Sequence, residues 1–358
     1  MKKVICVVQL PPPIHGAAIL NEKVISMLEI DEGLSLSVLR LNYADSFEKM
    51  HASKITKSIY SFFVFFSYIK KLTFTKPDFV YISFSPFGAG LYRDVFISLL
   101  ANFFGVKVKA HLHGTGLKNV KSGFKKQLYK FFFNRVELIL ISKDLYDDVS
   151  GYVDKKNVKF INNVVDTPVN HVEESPNVFN FLFMANLDRR KGALKVIDIF
   201  ADLKTDSKFK ESKLHIVGAD TFFLKSTVVS EYIVNNHSHL ADSIIIHGAK
   251  YGKEKEDIFL KCHIFIYPTE HDAAPLVVLE AQSYGLPVIS SSQGALMDML
   301  EHDSSGFIVD TYSLERYRFG INKVIDNYEN FRKQALKIHV EKNSNQVLKY
   351  KLKELFYD

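Results

Sequence analysis

Cysteine is nearly missing from this chain of 358 residues: Cys6 and Cys262 are the only two. They are too few for a disulfide framework and fit a reducing compartment. Long apolar runs are missing too. The longest aromatic stretch, Ile59 to Ile69, stops at Lys70-Lys71, short of the roughly 18 residues a membrane span needs. The opening Met-Lys-Lys-Val-Ile-Cys-Val-Val imitates a secretory leader. Its apolar part ends at Gln9 and a Pro11-Pro12-Pro13 stop, so a first buried strand is expected instead. There is no repeat and no low-complexity tract. Secreted, membrane-spanning and collagen-like classes are thereby excluded. Several catalytic signatures are absent as well. The chain has no Gly-x-x-x-x-Gly-Lys-Ser/Thr phosphate loop, no zinc-spaced Cys/His cluster, no Asp-x-Asp pair and no Gly-x-Ser-x-Gly elbow. Gly88-Ala-Gly90 and Gly114-Thr-Gly116 each lack the third glycine of a dinucleotide fingerprint. No metal site and no cofactor is expected.

What is present is a globular composition, 47% apolar and 24% charged, on a chain long enough for two domains of about 150 to 200 residues. Charge is uneven. Residues 1–165 carry 23 Lys and Arg against 13 Asp and Glu, a balance of +10, while the remainder carries −4 of the total +6. A basic half suggests an anionic partner, either nucleic acid or a membrane surface. No recognised nucleic-acid module appears, so nucleic acid is not expected.

Short β-branched or aromatic runs recur between longer segments of helical spacing: Val4 to Val8, Phe79 to Phe84, Val106 to Leu112, Leu138 to Ser142 and Val158 to Ile161. The pattern then restarts, with Phe179 to Met184, Lys213 to Val217, Ser243 to Ile246, Ile264 to Tyr267 and Val288 to Ser291. Such alternation predicts parallel sheets covered by helices on both faces. The expected fold is α/β, two doubly wound Rossmann-like domains facing a cleft. Residues 1–165 form the first domain, and the aperiodic, proline-containing segment 166–177 forms a linker. The second domain spans 178–340, and a charged helix at 341–358 is expected to return to the first domain.

The densest chemical signal runs from Tyr267 to Ser291. A strand ends near Pro268, a loop of small residues follows, and a helix is expected to begin at Pro275, where the missing proline N–H costs nothing. Asp272 stands just ahead of that helix beside Ala274, Pro275 and Leu276, where a ligand can approach free backbone N–H groups. Glu280 lies eight residues on, at most about 12 Å along a helix at 1.5 Å per residue. That span matches a nucleotide sugar from ribose to sugar ring. Glu280 sits amid Val277, Val278, Leu279 and Ala281, so its carboxylate should be paired or bound.

This segment resembles the signature of the retaining GT-B glycosyltransferases of family 4. There, two acidic residues with seven between them flank a small-residue loop, ahead of an Ala-rich helix and Gly-x-Pro-Val. The resemblance implies that Asp272, in place of the usual Glu, touches the donor sugar, with Glu270 as a nearby substitute, and that Glu280 binds the ribose hydroxyls. Pro11 to Ala18 is similar to the family's N-terminal loop, which implies that Gly16 approaches the donor phosphate. His111-Leu-His-Gly114 is similar to the His-Gly at the reaction centre; His113, directly before the glycine, is preferred to His111. Met184 to Gly192 is similar to a Gly-Arg-Leu…Lys-Gly loop that clamps a diphosphate. Lys191 matches it, Asn186 replaces the usual Arg, and Arg189 or Arg190 is left to supply the missing charge.

The implied activity is sugar transfer from a UDP- or GDP-linked donor with retention of configuration and without a metal, in bacterial surface-polysaccharide biosynthesis. The implied acceptor is a glycan, polyprenyl-diphosphate-linked, held by the first domain at the inner face of the cytoplasmic membrane. Nucleotide-sugar epimerisation, or binding without turnover, are the other readings. A membrane patch is expected where Gly123 to Arg135 mixes lysines with aromatics. A helical wheel puts Phe124, Leu128, Phe131 and Phe132 on a core face, leaving Tyr129 and Phe133 outside it with Lys118, Lys121, Lys126 and Lys130.

Overall fold

The computed structural model describes residues 1–12, 16–41, 54–121, 123–171 and 176–357, without the side chains of 54–61. Pro13 to His15 of the N-terminal loop, Val172 to Ser175 of the expected linker, and the start of the Ile59–Ile69 side-chain run lie outside the described residues.

The chain divides into two compact units, Met1–Asn163 with Leu348 onward, and Val164–Val347. The first holds strands β1 (Lys2–Val8), β2 (Leu34–Arg40), β3 (Phe79–Phe84), β4 (Lys107–Leu112), β5 (Glu137–Leu140) and β6 (Val158–Phe160). All pair in parallel, in the order β2-β1-β3-β4-β5-β6. The second holds β7 (Phe181–Met184), β8 (Leu214–Val217), β9 (Ile244–Ile246), β10 (Ile264–Tyr267), β11 (Val288–Ser291) and β12 (Gly306–Val309). It is again parallel throughout, in the order β12-β11-β10-β7-β8-β9. Both are doubly wound α/β folds, as the alternation predicts. The inner strands are buried on both faces, Phe-Leu-Phe-Met in β7 and Ile-Phe-Ile-Tyr in β10, because helices cover each side.

Each sheet has one strand more than the run-by-run reading finds, and each extra strand, β2 and β12, lies at an edge. β2 reads Leu-Ser-Leu-Ser-Val-Leu-Arg, the alternation of a half-covered strand rather than a solid apolar run. β12 is four residues opening on a glycine, Gly-Phe-Ile-Val.

In each sheet the winding direction reverses next to the first strand, between β1 and β3 and between β7 and β10. Ligands of open α/β sheets bind outside the carboxyl ends of the strands at such a point. The last helix, Asn345–Tyr357, brings the chain back to the first unit. Phe356 is fully buried there against Phe79 and Tyr81, with ring centroids 6.1 and 6.3 Å away. The Lys2 ammonium donates to its carbonyl at 2.9 Å.

The helix Gly123–Phe133 packs differently from the expected wheel. Tyr129, Phe132 and Phe133 are buried, while Phe124 and Phe131 are exposed. Phe132 stacks on Phe84 at 4.6 Å, and the Tyr129 hydroxyl donates to the Pro86 carbonyl. Tyr129 and Phe133 therefore belong to the core and leave the membrane patch. Lys121, Lys126 and Lys130 stay exposed, and Lys118 is exposed but paired with Asp147.

Candidate active site

The site of the second unit is built where the strands leave the β7–β10 switch point. After β7 the chain runs through Asn186 into a short turn over Arg189–Lys191, where the Arg190 N–H donates to the Asp188 carboxylate at 2.9 Å. After β10 it runs through Pro268 to Asp272 into the helix Leu276–Ser283. The two loops are stapled together. The Glu270 N–H donates to the Arg190 carbonyl at 2.7 Å, and the Thr269 hydroxyl donates to the same carbonyl at 3.2 Å. Gly192 makes the approach possible: at φ +93° it lies where a Cβ would fall 2.5 Å from the Pro268 carbonyl oxygen.

That staple sets Lys191 against Asp272, with Nζ 2.5 Å from Oδ2, both partly buried. The same Oδ2 accepts the Tyr267 hydroxyl at 2.7 Å. Tyr267 is buried, and burial first, then the Asp272 charge, pushes its phenol well above the usual tyrosine range, so it remains a donor. From the other side, Gly294 at φ +61° holds the loop down. A Cβ there would lie 2.1 Å from the Asp272 carbonyl oxygen, and the Ala295 N–H donates to the Ala273 carbonyl at 2.7 Å. Lysine, carboxylate and phenol thus converge beside the start of a helix whose first N–H groups have no intrahelical acceptor. Ala274 and Leu276 flank that start. Pro275 is the residue capping the helix, with ψ 118°, rather than its first helical residue.

Glu280 is indeed paired. Lys255, from the helix Gly252–Lys261, reaches its Oε1 with Nζ at 2.6 Å. The remaining carboxylate oxygen keeps acceptor capacity for a hydroxyl pair. The other candidates are sorted by their partners. Glu270, more than half exposed, is bound by Lys195 at 2.6 Å and not by Lys191, so Asp272 alone holds the lysine of the loop. Arg190 is clamped by Asp188 at 2.7 Å and lies over the Phe223 ring at 5.3 Å. Arg189 and Asn186 are exposed.

In the first unit, Gly16 opens the helix Gly16–Glu29 after β1. His111 and His113 follow one another at the end of β4, with ring centroids 4.2 Å apart. His111 is fully buried and hydrogen-bonded through Nδ1 to the Tyr81 hydroxyl at 2.6 Å. Burial, then the neighbouring His113, drives its pKa well below the usual histidine range, so it is a neutral structural residue. His113 is only partly buried. The loop that follows it is fixed by Asp148, whose carboxylate accepts the N–H groups of Gly116, Leu117 and Lys118 at 2.9, 3.1 and 3.0 Å.

Tyr267, Lys255, Asp148 and Gly294 escape the sequence reading. Lys255 is 25 residues from Glu280 and Asp148 about 30 from the loop it holds. Only Tyr267, five residues before Asp272, was near enough to be suspected.

Two six-stranded parallel sheets, each wound both ways from its first strand, give the chain the GT-B fold. HepE of Anabaena, solved in complex with UDP, superposes with a TM-score of 0.75 over 100% of both chains at 15% identity. The lipopolysaccharide outer core galactosyltransferase WaaB does so with a TM-score of 0.74 over 99% of both chains, also at 15% identity. Residues 169–338, just under half of the chain, match the family Glycosyl transferases group 1. An uncharacterized 41.2 kDa protein from the cps region of Klebsiella pneumoniae is 24% identical over 270 residues, 69% of each chain.

Proposed function

We propose that the chain moves a sugar from a nucleotide-sugar donor to a glycan acceptor, with retention of configuration, in the building of a bacterial surface polysaccharide. The observation that carries the reading is the Lys191–Asp272 pair at the β7–β10 switch point, eight residues ahead of Glu280. The UDP in the HepE structure, the galactosyl transfer named for WaaB and the cps location of the Klebsiella relative support it.

The chemistry follows from charge. Breaking the bond between sugar and diphosphate builds negative charge on phosphate while the sugar becomes oxocarbenium-like. In this structure the Lys191 ammonium is paired with Asp272. When a diphosphate is bound, the same ammonium turns to the leaving oxygens, assisted by the N–H groups of Leu276 and Val277 at the helix start. Asp272, still held by Tyr267, is then free to accept a hydroxyl of the donor sugar. Glu280 accepts the ribose hydroxyls, and His113, from the first unit, orients the sugar. Retention places the acceptor hydroxyl on the face that the diphosphate leaves. The acceptor is proposed to be polyprenyl-diphosphate-linked and presented at the cytoplasmic membrane surface. Lys121, Lys126 and Lys130 are the remaining cations of that patch.

The test is turnover of a panel of UDP- and GDP-sugars, with and without lipid-linked acceptors, by wild type and Glu280→Ala. Acceptor-dependent release of nucleoside diphosphate, lost in the variant, is expected. Failure to bind any nucleotide sugar would sink the reading.

A further inference from the structure

Lys250, Lys253 and Lys255, on or just before the helix Gly252–Lys261, all have carboxylate partners, but not of one kind. Lys250 pairs with Glu254 at 2.7 Å, and Lys253 with Glu256 and Asp257 at 3.3 Å each. Pairs of this sort, within one stretch of chain, contribute little. Lys255 instead passes over the acids of its own helix. It reaches across to Glu280 on the helix Leu276–Ser283, with Nζ 2.6 Å from Oε1. The two side chains are only 25% and 26% exposed, against 68% for Lys253, so water screens this pair far less.

A second contact holds the two helices at that spacing. One turn beyond Lys255 lies Phe259, and one turn beyond Glu280 lies Tyr284. Their rings stack with centroids 4.7 Å apart and planes 4° apart, and Phe259 is buried. Residues four apart share one face of a helix, so the ion pair and the stacked rings are two rungs of the same ladder. The Lys255 ammonium also lies 5.9 Å from the centroid of the Phe259 ring, which steers its flexible stem toward Glu280.

The consequence lies in how Glu280 can meet a pair of hydroxyls. A glutamate on an open helix face samples several rotamers, and ordering it around a ligand costs side-chain entropy. Here one carboxylate oxygen is pinned before any ligand arrives. An ionised carboxylate offers about four acceptor positions. The ammonium takes one, which leaves the second oxygen and a lone pair of the first for two O–H donors. Adjacent hydroxyls on a sugar ring supply such a pair. A site built to accept hydroxyls discriminates strongly against an analogue that lacks them, because its polar group is then left unpaired.

We propose that Lys255 is a positioning residue for ribose selectivity: by holding Glu280 in one orientation, it makes the site prefer a ribonucleotide over its deoxy counterpart. This rests on the donor reading above, in which Glu280 meets the ribose, and adds the residue that aims it.

Calorimetric titration of the full chain with UDP and GDP, each against its 2′,3′-dideoxy counterpart, tests it. For whichever nucleotide binds, wild type should favour the ribo form by about tenfold or more, the loss expected when hydroxyl bonds to a charged acceptor go unmade. Lys255→Met should narrow that preference to about threefold or less while leaving affinity for the dideoxy form unchanged. Lys255→Arg, which keeps the charge, should retain most of it. A preference that survives Lys255→Met, or widens, overturns the proposal, because the lysine would then merely compete with the ribose for the carboxylate. Loss of the dideoxy form together with the ribo form overturns it too, since a lysine that only joins two helices would weaken both alike. Glu280→Ala with the same ligands reads the donor assignment separately. If that variant abolishes the preference and Lys255→Met does not, this inference fails alone. If Glu280→Ala keeps the preference, or neither nucleotide binds wild type, the ribose assignment fails and this inference with it.

Discussion

At the scale of single residues, the site is a contest for partners. Lys191 and Asp272 occupy one another, and in the proposed mechanism the substrate offers each a new partner. Replacing Lys191 by Met should lower kcat by about 10² to 10³, the loss typical of one donor to a developing oxyanion, and should leave the fold intact, which circular dichroism checks. Tyr267→Phe is a milder change. It removes one hydrogen bond to Asp272 from a buried ring, so kcat should fall by about ten- to a hundredfold, in line with roughly 1.5 to 3 kcal/mol for a hydrogen bond to a charged group. A Tyr267→Phe enzyme with unchanged kcat would show that Asp272 needs no positioning. The placement of Asp272, Glu280 and Lys191 was legible from spacing and residue type: a carboxylate eight residues beyond another, inside an apolar helix and so expected to be paired, and a lysine between a strand and a helix; their roles rest on the resemblance. Lys255 was not, because a lysine on a charged surface helix looks like any other until the fold lays it on Glu280.

At the scale of elements, backbone shape matters more than side-chain chemistry. The loop carrying Asp272 is pinned by Gly294 in a left-handed conformation, with no room for a Cβ against the Asp272 carbonyl. Gly294→Ala should therefore cost strain of about 1 to 2 kcal/mol for the conformation, plus whatever the loop gives up by moving. Since about 1 kcal/mol shifts the melting temperature of a domain this size by roughly 2 to 4 °C, thermal unfolding should drop by several degrees. Turnover should fall with it, because Asp272 is pushed out of register with Lys191. A variant that melts early but keeps full kcat would separate the loop from catalysis. Elements also explain the misplaced helix face. Gly123–Phe133 carries aromatics nearly all round, so a wheel cannot choose the buried side. The choice comes from Phe84 and Pro86 at the end of β3, which receive Phe132 and Tyr129. The inner strands were legible as solid apolar runs, while β2, half covered at its sheet edge, carries a weaker pattern, and β12, although buried, is only four residues opening on a glycine.

At the scale of the whole molecule, acid weakens both units, through His111 in the first and through two histidines in the second. In the second unit His215 and His263 are both pushed down to about 4, chiefly by burial. An unfolded histidine binds its proton near 6.5, so between about pH 6.5 and 4 the unfolded chain takes up protons that the folded chain refuses. Stability is full above 6.5 and is lost as the pH falls toward 4. Urea unfolding followed in the second unit should show a lower midpoint at pH 5 than at pH 7.5, and a flat profile would refute the burial of these rings. The first unit depends in addition on the returning helix. Phe356 is buried between Phe79 and Tyr81, and Lys109 and Lys2 gather around the same aromatic cluster. Truncating such a ring costs about 3 to 5 kcal/mol in transfer and cavity terms. Phe356→Ala should accordingly destabilise β1, β3 and β4 while leaving β7 to β12 untouched. Hydrogen exchange measured strand by strand distinguishes the outcomes. Faster exchange confined to the first sheet is the expected result, with UDP affinity unchanged because Lys191, Asp272 and Glu280 all belong to the other unit. Equal loss of protection in both sheets would mean that the units unfold as one body, and that the end of the chain stabilises the donor site as well as the sheet it packs on.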